Sequence, residues 1–173
     1  KALSQRASAR EFDSTPLSLR DLSDLLWAAN GVNRAESGKR TAPSAINAQD
    51  VDVYLFDSEG VYLYNAQKHT LILVLSGDLR KIISNQDKDP YPSVILLLVS
   101  DISKFTRGED TLKREWGAMD VAFVAQNVLL FCSSVGMEAR PRAFMNKEQI
   151  IETLKLNNTQ LPMLNIPVSY KKN

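Results

Sequence analysis

Near the start of the chain stand Arg6-Ala7-Ser8-Ala9-Arg10, two guanidinium groups and a hydroxyl at alternate positions. Guanidinium binds phosphate oxygens bidentately and a serine hydroxyl adds a short donor, so the three suit a phosphate if the backbone lets them converge. The same residues also read as the solvated, basic end of a short helix over 3–9. A second stretch, Gly38-Lys39-Arg40-Thr41-Ala42-Pro43-Ser44-Ala45-Ile46-Asn47, is a loop of small and polar residues leading into a strand. Backbone N–H groups in such loops can meet a flat polar ring edge, though the stretch also reads as a plain connector. Gln126-Asn127 places two amides inside an apolar run, where buried amides require partners; a helix-to-loop hydrogen bond is the expectation for both. Cys132, the single cysteine, sits in the same run and reads as a small core residue, with no internal disulfide possible.

These residues need elements to position them. The longest runs from Asp110 to Val135, charged in its first turns and then apolar nearly all round, with Gly136 as a stop. Such a helix must be buried on most faces. Its remaining face is covered either by the same helix of a second copy on a two-fold axis or by other helices of the same chain. The mid-run amides argue against a membrane span. Ser18 caps an amphipathic helix through Leu22, Leu25 and Leu26, with Asp21 three residues on. Val51 to Phe56 and Val61 to Tyr64 alternate as a hairpin around Ser58-Glu59-Gly60. Leu71 to Leu75 adds a short strand, 77–83 looks helical and 85–92 is a polar loop. Val94 to Val99 reads as a strand buried on both faces. Residues 101–105 suggest a helical turn, and Met137 to Arg142 a short extended stretch at a sheet edge, because of Pro141. Asn146 caps a last helix, Lys147 to Leu156, before a final strand, Leu161 to Tyr170.

With 173 residues, 44% of them hydrophobic, the chain is sized for one domain, 1–173. A net charge of +1 and the lack of any basic run argue against nucleic-acid binding. No signal peptide or membrane segment is read. A cytoplasmic location is expected, with export left open because the chain begins at Lys1 without a methionine.

Taken together, the ordered set Arg6-Ala7-Ser8-Ala9-Arg10-Glu11-Phe12, Leu25-Leu26-Trp27-Ala28-Ala29-Asn30-Gly31, Gly38 to Asn47, Gly60-Val61-Tyr62-Leu63-Tyr64, Ala125 to Leu130 and Gly136-Met137 resembles the nitroreductase family, in its compact subgroup related to SagB-type oxidoreductases. The resemblance covers nearly the whole chain. It implies an α+β fold with a mostly antiparallel central sheet flanked by helices, a long buried central helix, and an intertwined homodimer with FMN at the subunit interface. It places the FMN phosphate on Arg6 and Ser8, with Ala7 between them also in the cofactor site, and the pyrimidine edge of the flavin on Arg10, where a guanidinium stabilises negative charge in the reduced state. Pro43, Ser44, Ala45 and Asn47 match a segment that approaches the flavin from the other subunit, with Arg40 as a further polar contact. The backbone N–H facing flavin N5 falls on Arg142 or Ala143, and Lys171 or Lys172 could reach the phosphate. Two departures stand out: Ala143-Phe144 where the family has glycine, and Pro167-Val168-Ser169 where it has Pro-Val-Gly.

The implied function is an FMN-dependent NAD(P)H oxidoreductase. Hydride passes from NADH or NADPH through flavin N5 to a small organic acceptor such as a nitroaromatic or quinone, with no protein nucleophile and no metal. The alternatives are a flavin-binding protein without turnover and a SagB-like dehydrogenase acting on another substrate.

Overall fold

Residues 1–83 and 91–172 are described in the computed structural model; positions 85–90 of the expected polar loop lie outside them. A six-stranded, wholly antiparallel sheet forms the middle layer, in the order β5-β4-β3-β6-β8-β7. Its strands are β3 (Val51–Phe56), β4 (Gly60–Asn65), β5 (Thr70–Ser76), β6 (Val94–Asp101), β7 (Met137–Ala139) and β8 (Gln160–Tyr170). A separate pair, β1 (Val32–Arg34) and β2 (Lys39–Arg40), makes a short hairpin in the stretch expected to be loop alone. The helices are α1 (Ala2–Gln5), α2 (Leu19–Asn30), α3 (Arg80–Ile83), α4 (Asp110–Val135) and α5 (Lys147–Leu154). The architecture is α+β, as the resemblance implied.

The sheet separates two apolar layers. Val51, Val53 and Leu55 of β3 and Leu96 and Leu98 of β6 face α2 and α4. Tyr54 and Phe56, with Ile95, Leu97 and Val99, face α3 and α5. Strand side chains alternate, so only a strand covered on both sides reads as an unbroken aliphatic run, and β6 is that strand. Ser18 caps α2 by accepting from Asp21 N–H at 3.1 Å, and Asn146 caps α5 through Gln149 N–H at 3.1 Å. The turn at Ile102–Lys104 and the edge strand β7, which ends before Pro141, also follow expectation.

Two expectations change, at the first helix and at α4. The first helix is α1 alone; Arg6 is extended at its C-terminus (φ −61°, ψ 119°) and no helix continues to Ala9. The proline-bearing last strand is interior. A register shift at Leu98/Val99 spaces it around Pro162, and the Pro167 carbonyl accepts from Arg140 N–H at 3.3 Å just beyond the end of β7. Finally, α4 is buried on one face only within a single chain. Gly117, Asp120, Val121, Val124, Ala125, Val128, Leu129 and Cys132 are buried, whereas Leu112, Met119, Phe123 and Val135 are exposed. Gly136 ends the helix in the left-handed region (φ 79°). By length and composition α4 could cross a membrane, but its buried face packs on α2, β6, β7 and β8 as a core helix.

Candidate functional site

The arm from Arg6 to Asp13 leaves α1 extended at Arg6, bends at Arg10 and runs beside the β7–β8 edge. Ala9 N–H donates to the Ala139 carbonyl at 3.1 Å, and Asp13 N–H donates to Ser169 Oγ at 3.0 Å. Ala9 is buried. Arg6, Ala7, Ser8 and Arg10 around it are all exposed. Among the described residues, the side chains of Arg6, Ser8 and Arg10 make no hydrogen bond or ion pair. Ser169, a departure from the family pattern, is fully buried and anchors the arm through its hydroxyl, which also donates to the Tyr170 carbonyl at 2.7 Å.

Next to the arm lies an open cleft of about 480 Å³, lined by Ala7, Lys1, Lys171, Ser133, Ser134 and Glu138 among others. It sits at the C-terminal end of α4, where the helix dipole is negative and disfavours anions. A phosphate there depends on the cations around it: Lys1 and Lys171 line the cleft, whereas Arg6 and Arg10 are exposed on the neighbouring arm and are not among the lining residues. Cationic donors on both make a phosphate monoester a chemical fit. Lys172 lies further out and pairs loosely with Glu11 at 3.8 Å. Cys132 is buried beneath the cleft, and burial pushes its thiol up to about 12, which keeps it an inert core residue.

Of the two candidates for the N5-facing N–H, Arg142 donates its own to the Asn165 carbonyl at 2.8 Å, and its guanidinium lies over the Phe12 ring at 5.6 Å. Ala143 is exposed and its N–H meets no acceptor among the described residues. Buried Asn165 braces this turn, donating from Nδ2 to the Phe144 carbonyl at 3.3 Å.

Residues 43–49 form a second, separate cluster. Ile46, Asn47 and Gln49 all have left-handed backbone (φ 50°, 57° and 50°), a costly conformation for a β-branched residue such as Ile46. Several bonds enforce it. Ser44 Oγ accepts from Gln49 N–H at 2.9 Å, and Gln49 Nε2 donates to the Gly38 carbonyl at 3.0 Å. Arg40 Nε donates to Gln49 Oε1 at 3.1 Å. Arg40 therefore braces the loop from behind; burial lowers its guanidinium pKa, opposed by Asp52, Tyr64 and Asp50. Pro43 and Asn47 are exposed, and Ser44 and Ala45 half-buried.

What holds this loop to the core is a residue the sequence reading passed over. Ala45 N–H points between both oxygens of Asp120, at 3.1 and 2.9 Å. Asp120 lies on α4 and is 2% exposed. Its signal in the sequence is an acid inside an apolar helix, as much a polar interruption of that run as the amides Gln126 and Asn127. Of those two, Gln126 is exposed, so its expected bond to a loop is not required. Asn127 donates to the Ala29 carbonyl at the end of α2 at 3.4 Å. Asp120 and Ser133 are thirteen positions apart on α4, about 20 Å along the axis. The arm cluster of one chain thus lies at the C-terminal end of that helix and the loop cluster near its middle.

Comparison with known proteins agrees with this architecture. The nitroreductase family profile matches residues 3–170. MJ1384 of Methanocaldococcus jannaschii, provisionally named a nitroreductase, is 30% identical over 98% of this chain and 89% of its own. A crystal structure of a provisionally named nitroreductase from Ralstonia eutropha JMP134 superposes with a TM-score of 0.93 at 35% identity, covering 99% of this chain and 82% of that one. A chain of the Escherichia coli microcin synthetase McbBCD complex shares the fold alone, with a TM-score of 0.84 at 18% identity over 98% of this chain and 70% of that one. Sheet order, central helix and near-complete coverage converge on one assignment: the chain is an oxidoreductase fold of the nitroreductase family, to which it belongs.

Proposed function

We propose that the protein is a homodimeric, FMN-dependent NAD(P)H oxidoreductase that reduces a small organic acceptor. The observation that carries this reading is the split site. The arm stands at the C-terminal end of α4 and the strained loop near its middle, about 20 Å apart along the axis, and in the proposed site a second chain supplies the loop. The outer face of α4 exposes Leu112, Met119 and Phe123 on one stripe. An antiparallel two-fold crossing of two α4 helices covers that stripe and brings one chain's arm beside its partner's loop. Exposed apolar patches of this kind mark association surfaces.

Bound FMN supplies the hydride chemistry, accepting from a nicotinamide and donating to the acceptor. The protein's part is orientation and charge. Arg6, Ser8 and Lys171 hold the phosphate. Arg10 puts a fixed positive charge at the pyrimidine edge, where it favours the reduced form. Ala143 offers its free N–H, and Pro43 to Asn47 close the site from the second subunit. A flavin carrier without turnover uses the same residues, so the deciding measurement is redox cycling. The purified protein, reconstituted with FMN, is titrated with NADH and with NADPH under anaerobic conditions while its mass is followed by light scattering. A dimer of about twice 19.3 kDa whose visible band bleaches is expected. A protein that binds FMN as a monomer refutes the shared site, and a dimer that neither nicotinamide bleaches refutes the oxidoreductase.

A further inference from the structure

Beneath the strained loop lies a buried pair of acids, Asp50 at the start of β3 and Asp120 on α4, 0% and 2% exposed. Asp50 Oδ2 accepts a 2.5 Å hydrogen bond from the Ser100 hydroxyl. Asp50 Oδ1 is equally buried and has no donor among the described residues. A carboxylate oxygen left so is costly, and native structures rarely keep one. The groups around it offer little relief. Ser100 is already committed to Oδ2, and Asp101 gives its N–H to the Asp50 main-chain carbonyl at 3.0 Å. Lys104 is taken by Asp52 at 2.8 Å, and Arg40 Nε by Gln49. From α4 the facing position is Gly117, where any Cβ would collide with Ser100 Oγ and stand 3.5 Å from Asp50 Oδ2. That glycine lets the helix come close enough for Asp120 and Asp50 to meet. The group left to satisfy Asp50 Oδ1 is the Asp120 carboxyl itself.

We infer that Asp50 carries a carboxyl proton that it donates to Asp120, and that Asp120, accepting this proton and Ala45 N–H together, is the positioning residue that fixes residues 43–49 in their ligand-facing shape. The proton turns two mutually repelling acids into a donor and an acceptor and gives the orphan oxygen its bond. Burial, reinforced by Asp120 and opposed by Ser100, pushes the Asp50 carboxyl up to about 7, in keeping with a retained proton. A loop with three left-handed residues that are not glycine needs such an external anchor, because its own backbone preferences oppose it. The anchor stands on α4, so the helix whose outer face is the proposed dimer surface holds the loop on its inner face. That the loop meets FMN rests on the proposed function; the shared proton and the anchorage do not.

The test separates these layers. In the protein without flavin, the infrared spectrum at pH 6 is expected to show the deuterium-sensitive carbonyl band of a protonated carboxylic acid, absent in Asp50→Asn. Asp120→Asn is expected to lose the band as well, since its amide now donates to an ionised Asp50. It should still protect the Ala45 amide from hydrogen exchange, because its oxygen still accepts. Asp120→Ala should lose that protection and bind FMN about tenfold more weakly by fluorescence titration, while Asp50→Asn, which mimics the donor, stays within about twofold of the parent. A parent spectrum without the band, or an Ala45 amide that exchanges equally fast in parent and Asp120→Ala, overturns the inference. If band and protection behave as stated but Asp120→Ala binds FMN like the parent, the flavin role of the loop is refuted while the proton pair stands. A parent that binds no FMN at all refutes the proposed function instead.

Discussion

Replacing Phe123 with alanine probes the dimer where its energy should concentrate. Phe123 stands at the C-terminal end of the outer stripe of α4 and is 48% exposed in one chain. For a ring side chain of roughly 200 Å², about 100 Å² awaits cover, worth about 2.5 kcal/mol at ~25 cal/mol/Å². A two-fold axis applies the loss twice, about 5 kcal/mol, or on the order of a thousandfold in the dimer dissociation constant. Within one chain the exposed half of the ring contributes nothing, so the monomer should lose much less stability than the dimer loses affinity. Light scattering over a dilution series, with FMN fluorescence read on the same samples, makes the comparison. The variant should dissociate at concentrations where the parent is dimeric, and FMN should leave as it does. A Phe123→Ala protein that stays dimeric to the same dilution as the parent refutes the α4 interface. One that falls to monomers yet keeps FMN refutes the two-chain site.

The other expectations are more local. Arg6→Ala should weaken FMN by tens of fold, about 2 kcal/mol for a lost charge-assisted phosphate contact, while riboflavin binding changes little; equal losses for the two ligands would remove Arg6 from the phosphate. Arg10→Gln should still bind oxidised FMN but lower its two-electron potential by tens of millivolts, about 30 mV for each 1.4 kcal/mol; a redox dye titration with unchanged potentials would place Arg10 outside the site. Because the folded Asp50 carboxyl is raised to about 7 from an ordinary 3.8, the folded state keeps a proton that the unfolded chain has released between those values. Stability should therefore fall as pH rises from about 4 to about 7 and level off above, a slope that denaturant melts should find flattened in Asp50→Asn. Gly117→Ala should cost about 1–3 kcal/mol, since its methyl meets Ser100 Oγ; thermal melts matching the parent would show that α4 is free to shift there.

Much of this molecule is written locally. Ser18 with Asp21, and Asn146 with Gln149, declare their helix starts because a cap is a bond between near neighbours. The β6 run declares a doubly covered strand because alternation fails only when both faces are apolar. The arm is legible as Arg6, Ser8 and Arg10 because residue type and closeness along the chain are enough to mark a set of anion donors. Three things depended on the fold in space. Whether the arm coils or extends was decided by Ala139 and Ser169, more than a hundred residues away, whose bonds outweigh the weak helical tendency of a short terminal segment. Which face of α4 stays uncovered could not be read from a run apolar nearly all round; it is set by which positions the sheet and α2 occupy. Asp120 reads along the chain as a stray charge in an apolar helix. Only the packing of Gly117 against Ser100 brings it to Asp50 and to the Ala45 amide, because a buried acid takes its meaning from partners that folding, and not sequence proximity, supplies.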